Sequence, residues 1–147
     1  VKVDRSATTF YFNTPFSFLS KLVDRRSAVL LTDEHLYKFH QAKFTGWNVI
    51  VLKAGEQYKI QATADAILEK LLEMGADRST MLIGVGGGVV TDLTGYVAAV
   101  YMRGLSFGFV PTTLLALVDA SVGGKNGVNH GALKNMVGTF SDLFTLE

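Results

Sequence analysis

One stretch of the chain has the hydrophobic periodicity of an amphipathic helix. Between Lys59 and Met74 apolar residues recur every three or four positions, while charged residues occupy the opposite positions. The apolar positions are Ile60, Ala64, Ile67, Leu68, Leu71 and Leu72, and the charged ones are Asp65, Glu69, Lys70 and Glu73. Because glycine favours a helix C-terminus, Gly75 is expected to end this helix.

Apolar runs of strand length alternate with further helical segments. The predicted strands are Ala7–Phe12, Ser27–Thr32, Trp47–Leu52, Thr80–Val85 and Leu105–Val110. The other predicted helices are Glu34–Phe44, Asp92–Met102 and Thr112–Ala120, and a turn is expected at Ala54–Gln57. This alternation is typical of an α/β fold with a mostly parallel sheet flanked by helices. No element is assigned to Ser121–Gly138 or predicted at the terminal Phe144–Glu147.

The composition narrows the class of protein. The 147 residues fit one domain, and 48% hydrophobic against 18% charged residues excludes intrinsic disorder. A net charge of +1 indicates neither a nucleic-acid nor a polybasic membrane partner. The longest uncharged apolar stretch, Gly104–Val118, is too short to span a membrane. The absence of cysteine excludes disulfides and suits a cytoplasmic protein.

Glycine is concentrated in the second half, where 12 of the 15 glycines lie at or after Gly84. Gly86, Gly87 and Gly88 follow a predicted buried strand and precede a helix. Their backbone could accept a pyrophosphate at the helix N-terminus, or they could form a tight turn with close helix–sheet packing. The run departs from G-x-G-x-x-G, since Val89 holds the last glycine position. Asp92 is either a first-turn carboxylate favoured by the helix dipole or a contact to a ligand hydroxyl or amide.

A second group of polar residues lies near the C-terminus. Gly123-Gly124-Lys125-Asn126 resembles a phosphate-binding loop but lacks its leading glycine and its Ser/Thr, which argues against ATP hydrolysis. Lys125 and Lys134 can still provide charge for a phosphate, and Asn135 can both donate and accept hydrogen bonds. Arg103 follows a predicted helix, where it could instead interact with the helix dipole.

Two other patterns favour structural roles. Pro111-Thr112-Thr113 before an apolar run is a helix-start signature. His35 and His40 are five residues apart and share a helix face poorly, which argues against a metal site. No metal ligands are therefore assigned to this chain.

Taken together, three segments identify a family resemblance. They are GGGVVTDLTGYVAAVYMRG, VPTTLLALVDASVGGKNGVNH and KNMVGTF, and GEQYK at Gly55–Lys59 also matches. With consistent spacing from about Gly84 to Phe140, they resemble the 3-dehydroquinate synthase family. The resemblance implies that residues 1–147 form the Rossmann-like, NAD-binding N-terminal domain, and that a mostly helical C-terminal domain with the ligands of a zinc or cobalt ion lies outside this chain.

The family converts 3-deoxy-D-arabino-heptulosonate 7-phosphate to 3-dehydroquinate and phosphate in the shikimate pathway. The resemblance implies transient oxidation by NAD, phosphate elimination, reduction and ring closure, in a cytoplasmic enzyme that is expected to form a homodimer. It also implies that this chain alone is inactive. The alternatives are another sugar-phosphate cyclase, a metal-dependent alcohol or glycerol dehydrogenase, and a non-catalytic NAD-binding or dimerisation fragment. The Leu-Leu-Ala-Leu run after Thr113 argues against the dehydrogenases.

The resemblance also implies site residues. The cofactor-binding residues would be Asp33, Gly55, Glu56, Gln57, Tyr58, Lys59, Gly87, Gly88, Val89, Val90, Thr91, Asp92, Thr112, Thr113, Lys125 and Lys134. The catalytic residues would be Asp119, Lys125, Asn135 and Arg103, of which Arg103 would reach a neighbouring subunit's site. This sequence departs from the family at Ala54, Thr91 and Asn126, and Thr91, in place of glycine, is expected to narrow the cofactor channel.

Overall fold

The computed structural model describes residues 2–5, 8–120, 125–131, 133–140 and 144–146. The strands are β1 (Lys2–Arg5), β2 (Thr8–Tyr11), β3 (Ala28–Asp33), β4 (Asn48–Leu52), β5 (Met81–Gly86), β6 (Ser106–Pro111), β7 (Lys125–His130), β8 (Leu133–Phe140) and β9 (Phe144–Leu146). The α-helices are α1 (Leu19–Leu22), α2 (Glu34–Phe44), α3 (Gln61–Glu73) and α4 (Gly88–Val100). Short 3₁₀ turns cover Phe16–Phe18, Arg25–Ser27, Glu56–Tyr58 and Tyr101–Arg103, and a π-helical turn covers Ala116–Ala120.

Seven strands form one sheet in the order β1-β2-β9-β6-β5-β3-β4. All neighbours in it are parallel except β1 and β2. The chain runs from β3 outward to β4 and then returns past β3 to β5, so the direction of winding changes between β3 and β5. In open α/β sheets such a switch point leaves a crevice at the carboxyl ends of the strands.

Helices cover both faces of the sheet, and each face has its own core. One core packs Leu31, Ile50 and Leu82 of the sheet against α3 and α4, and Val128 of β7 joins it. The other core packs Leu30 and Ile83 against α1, α2 and the preceding aromatic residues. Consecutive residues such as Leu30 and Leu31 therefore serve opposite cores, which explains the continuous apolar runs of the parallel strands. The predicted α/β class is confirmed.

The local predictions agree with most element bounds, and α2 has the bounds predicted for it. The predicted start of α4 at Asp92 is wrong, because this helix begins at Gly88 with Gly87 as its N-cap. Asp92 consequently lies in the second turn of α4 and is not a first-turn carboxylate. Val90 is buried in the core beneath the first turn, so packing extends the helix into a glycine-rich segment.

The C-terminal part contains two features that periodicity does not predict. Within the unassigned segment, β7 and β8 pair as an antiparallel hairpin whose ladder is irregular between Val128 and His130. In addition, β9 is inserted between β2 and β6, although no terminal element was predicted. Both depend on pairing between distant or glycine-rich segments, where local patterns carry little information. No helix in the part of the chain that the structure describes has the length and apolar character needed to cross a membrane.

The hairpin packs on α4 at Gly95. A Cβ atom built on Gly95 would overlap the side chain of Asn126, which is buried. We expect Gly95→Ala to lower the free energy of unfolding by about 2 kcal/mol because of overpacking, although alanine is the better helix former. Chemical denaturation measures the effect. Adding Asn126→Ala should recover most of the loss, and a Gly95→Ala protein as stable as the parent would contradict this packing.

Candidate functional site

A cleft of about 620 Å³ lies at the carboxyl edge of the parallel strands. The residues that follow β3, β4, β5 and β6 all contribute to its walls, and α2 closes one side. This is the edge at which the winding of the sheet changes direction. The sequence-predicted residues that line this cleft are Asp33, Gly55, Gly87, Gly88, Val89, Val90, Thr112 and Thr113. The topology thus gathers residues that are up to 80 positions apart in the sequence.

The three consecutive glycines serve different purposes. A Cβ atom on Gly86 would lie 2.7 Å from Val90, and one on Gly87 would lie 3.2 Å from Thr113, so these two glycines permit close packing. A Cβ atom on Gly88 would meet nothing within 4 Å. Gly88 lines the cleft at the first turn of α4, where backbone N–H groups lack intrahelical partners. Its backbone therefore presents an open, donor-rich surface suited to an anion.

Thr112 and Thr113 stand beside the glycines at the end of β6. The backbone N–H of Thr112 donates to the carbonyl of Gly86 at 3.0 Å, which extends the β5–β6 pairing to the edge of the cleft. The hydroxyl of Thr113 accepts a hydrogen bond from the backbone N–H of Ala116 at 3.2 Å. Thr113 is thus a cap, as the helix-start pattern predicts, and it also lines the cleft.

Asp33, at the end of β3, likewise caps a helix and lines the cleft. Its Oδ1 accepts hydrogen bonds from the backbone N–H groups of His35 and Leu36, at 2.9 and 3.0 Å, and so caps α2. The next residue, Glu34, was not singled out from the sequence. Its Oε1 accepts from the backbone N–H of Ala54 at 3.2 Å, which fastens the turn after β4 to α2. Gly55 follows in that turn with φ of +120°, a conformation that requires glycine.

The hydrogen bond from Ala54, with a smaller contribution from Lys53, holds the pKa of Glu34 below its ordinary value. A lowered folded-state pKa adds stability above the unfolded value, about pH 4.3, and this stability is lost as pH falls through the folded pKa. We therefore expect the melting temperature of the parent chain to be slightly higher than that of Glu34→Gln at pH 7, and the difference to shrink as the pH falls below about 4.3.

Thermal unfolding across this pH range measures the difference. Glu69→Gln, on the exposed face of α3, is the matched control. A difference between the parent and Glu34→Gln that persists undiminished at low pH would contradict the role assigned to the Glu34 carboxylate.

A second cavity, of about 840 Å³, adjoins the first at the glycine segment, because Gly88 and Val89 line both. Its main feature is an ion pair between Lys59 Nζ and Asp92 Oδ2 at 2.6 Å, with the lysine side chain only 6% exposed. Glu56 lies 3.8 Å from the same Nζ. Lys59 thereby connects the turn that precedes α3 to the second turn of α4. Together with the carboxylates of Glu56 and Asp92 it forms one wall of the cavity.

Another wall is formed by the β7–β8 hairpin, including Lys134 and Asn135. Asn129 of this hairpin, which was not predicted as a site residue, contacts both walls. Its Nδ2 donates to Glu56 Oε1 at 2.9 Å, and its Oδ1 accepts from the backbone N–H of Asn135 at 3.0 Å. Asn129 lies inside a segment that matches the family, but the sequence did not indicate its contacts, because Glu56 is remote in the chain.

Other predicted residues lie elsewhere. Thr91 is buried, its hydroxyl donates to the carbonyls of Gly88 at 3.0 Å and Gly87 at 3.3 Å, and it lines neither cavity. Gln57 and Tyr58 belong to the turn before α3 but also lie outside both linings. Arg103 is exposed beyond the end of α4. Because it precedes β6, it lies at the amino ends of the parallel strands, whereas the clefts lie at their carboxyl ends.

The remaining candidate residues lie in the C-terminal part of the chain and in α2. Asp119 belongs to the π-helical turn, and Lys125 begins β7. Gly123 and Gly124 lie outside the described residues. His35 and His40 both line the first cleft. Among the described residues, no group of three or more His, Cys, Asp or Glu side chains is arranged to hold a metal ion.

The fold and the clefts define a Rossmann-like α/β protein with a binding crevice at the carboxyl edge of its sheet. A family model described as the N-terminal part of 3-dehydroquinate synthase matches residues 49–144. The chain therefore belongs to the 3-dehydroquinate synthase family, and the resemblance noted in the sequence is confirmed.

The relatives extend this result. A 3-dehydroquinate synthase from Pyrococcus abyssi is 47% identical over 136 residues, which cover 86% of this chain and 40% of the relative. The solved structure of 2-deoxy-scyllo-inosose synthase with carbaglucose-6-phosphate, NAD⁺ and Co²⁺ superposes with a TM-score of 0.80 at 26% identity, covering 95% of this chain and 42% of that one.

A second solved structure, 2-epi-5-epi-valiolone synthase from Streptomyces hygroscopicus with NAD⁺ and Zn²⁺, has a TM-score of 0.82 at 26% identity over 99% of this chain and 43% of that one. The chain thus spans less than half the length of these proteins.

Proposed function

We propose that this chain is the NAD-binding N-terminal domain of a 3-dehydroquinate synthase. The complete enzyme would convert 3-deoxy-D-arabino-heptulosonate 7-phosphate to 3-dehydroquinate and phosphate. The observation that carries the proposal is the pair of clefts that meet at Gly88 and Val89. A dinucleotide has two nucleoside ends joined by a pyrophosphate, and this arrangement offers two compartments joined by a segment without side-chain obstruction at Gly88.

In the proposed complex, the pyrophosphate lies against Gly87, Gly88 and the first turn of α4. Its negative charge is favoured by the free N–H groups and the positive end of the helix dipole. The adenosine half occupies the first cleft, where the second carboxylate oxygen of Asp33 can accept from a ribose hydroxyl while Oδ1 caps α2. Thr112 and Thr113 line the same cleft and would contact the cofactor from the β6 side, where it passes Gly87 toward its nicotinamide half.

The nicotinamide half would enter the second cavity, beside Glu56, Lys59, Asp92 and Lys134. When bound, NAD supplies reversible oxidation and reduction of a substrate hydroxyl. The Lys59–Asp92 pair is well placed to orient ribose hydroxyls, because the lysine donates and the carboxylate accepts hydrogen bonds.

The substrate phosphate requires fixed cations and hydrogen-bond donors. We assign this task to Lys125, Asn135 and Arg103, with Arg103 reaching the site of a second subunit in a homodimer, since it lies far from this chain's own clefts. Asp119 would accept from substrate hydroxyls or contact the nicotinamide. We also propose, as the family resemblance implies, that a C-terminal helical domain outside this chain carries the zinc or cobalt ligands. We further propose that the enzyme is cytoplasmic.

Two measurements test the proposal. Isothermal titration calorimetry of this chain with NAD should give saturable binding at one site, whereas a non-catalytic fragment that binds nothing would give no heat and no thermal shift. A longer protein that contains this chain and the metal-binding domain should release phosphate from the heptulosonate phosphate, and the chain alone should not. Release from glucose 6-phosphate in its place would favour another sugar-phosphate cyclase, the class of the two solved structures.

A further inference from the structure

Asn129 occupies an unusual place in the β7–β8 hairpin. The ladder pairs Val128 with Val137 and His130 with Leu133, and its register shifts between Val128 and His130. Asn129 therefore lies at the irregularity, and its backbone pairs instead with Ile60 as an isolated parallel bridge. Its N–H donates to the carbonyl of Lys59 at 2.8 Å. Such irregularities redirect a side chain away from the ordinary pleat.

The redirected side chain connects two segments that both line the second cavity. On one side, Nδ2 donates to Glu56 Oε1 at 2.9 Å, in the turn that also carries Lys59. On the other side, Oδ1 accepts from the backbone N–H of Asn135 at 3.0 Å. Asn135 has φ of +53°, a left-handed conformation that needs support when the residue is not glycine.

Only an uncharged amide satisfies both contacts at this length. A carboxylate accepts but does not donate when ionised, so an aspartate would place two negative groups together at Glu56. Alanine would remove both contacts. The asparagine orientation is also defined by its partners, because the NH₂ group must face the carboxylate and the oxygen must face the N–H.

We propose that Asn129 is a positioning residue of the site, which sets Lys134 and Asn135 at a fixed distance from the Glu56–Lys59–Asp92 group. It acts through these residues and does not itself contact substrate. The inference rests on the proposed function, since the residues it positions are those assigned to the cofactor and the substrate phosphate. Correct placement matters because a cation or amide binds a phosphate only within hydrogen-bonding distance and direction.

The experiment uses the longer protein that contains this chain and the metal-binding domain. It reverses the direction of the hydrogen bond between Asn129 and Glu56. Asn129→Asp should raise KM for the sugar phosphate about tenfold, which corresponds to about 1.4 kcal/mol, with kcat changed by less than about threefold. In Asn129→Asp/Glu56→Gln the glutamine NH₂ donates to the new carboxylate, which still accepts from Asn135. The double variant should therefore return to within about threefold of Glu56→Gln alone. Asn48→Asp, at the distant start of β4, should leave KM unchanged.

A purely structural role would lower stability in Asn129→Asp and leave KM for the sugar phosphate unchanged. An unchanged KM in Asn129→Asp, or a double variant no better than the product of the two single changes, would overturn the inference. Hydrogen exchange of the Asn135 amide is a separate readout that does not need turnover, and Asn129→Asp/Glu56→Gln should restore the protection that Asn129→Asp loses. If the parent enzyme releases no phosphate, the proposed function fails, while the exchange pattern still decides whether Asn129 positions Asn135.

Discussion

Replacing Gly88 with leucine should weaken NAD binding at least 100-fold while leaving the chain as stable as before. A Cβ atom at this position meets no protein atom within 4 Å, so a longer side chain extends into the cleft and not into the core. The space it takes is the space proposed for the pyrophosphate, and its bulk also covers the first-turn N–H groups. Gly88→Ala, which adds one carbon, should weaken binding about tenfold, or about 1.4 kcal/mol.

Gly88→Ala should weaken NAD binding and yet increase stability, and these opposite effects distinguish a binding role of Gly88 from a structural one. Alanine restricts the unfolded chain more than glycine, so Gly88→Ala should raise the free energy of unfolding by about 0.5 kcal/mol. Calorimetric titration with NAD and chemical denaturation measure the two effects on the same samples.

Gly86→Ala is the contrasting variant. Its Cβ would lie 2.7 Å from Val90, so any loss of binding should be accompanied by a loss of stability. If Gly88→Leu bound NAD as tightly as the parent chain, the proposed course of the cofactor past the glycines would be wrong.

Replacing Lys59 with methionine should have the largest effect on stability. The lysine is nearly inaccessible to solvent and pairs at 2.6 Å with Asp92, whose side chain is 17% exposed. Removing one partner of a buried pair leaves the other charge poorly compensated, which typically costs about 3 kcal/mol or more. We expect a loss of about 3 kcal/mol in the free energy of unfolding, measured by chemical denaturation.

The double variant Lys59→Met/Asp92→Asn separates stability from function. It removes both charges and should recover most of the lost stability, because neutral groups avoid the desolvation penalty. NAD binding should remain weak in both variants, since the hydroxyl-orienting pair is absent. Arg26→Met is the matched surface control, as Arg26 pairs with Asp24 at 2.9 Å but is 90% exposed and should change the denaturation midpoint little. A single variant as stable as this control would contradict the buried role of Lys59.

Much of the central fold was predictable because its signals are local. The helix predicted to begin after Asp33 is α2, and the Asp33 carboxylate caps it by accepting hydrogen bonds from its first backbone N–H groups. Apolar runs bounded by glycine or proline indicated β5 and β6, and their alternation with helices indicated a parallel sheet. The glycine segment could be located at a strand-to-helix junction, although the separate tasks of Gly86 and Gly88 could not be assigned.

The polar network of the second cavity was not predictable from local patterns. Lys59 and Asp92 are separated by 33 positions, and Asn129 and Glu56 by 73. The glycines of the β7–β8 hairpin could also be mistaken for a ligand-binding segment. A Cβ atom on Gly127 would lie 2.7 Å from the backbone oxygen of Val137, so this glycine allows two strands to approach and does not by itself indicate a ligand.

The amino-acid sequence alone determined the alternation of elements, the family and the edge of the sheet where we propose the cofactor site. The alternation and the edge follow from periodicity, capping residues and glycine, which act over a few neighbouring positions, whereas the family follows from the resemblance of whole motifs. Only the tertiary structure decided that Thr91 bonds to its own helix, that Arg103 lies at the far edge, and that Asn129 connects the two walls. Such contacts depend on the distances between segments remote in the chain, which are established when the two cores and the sheet pack together.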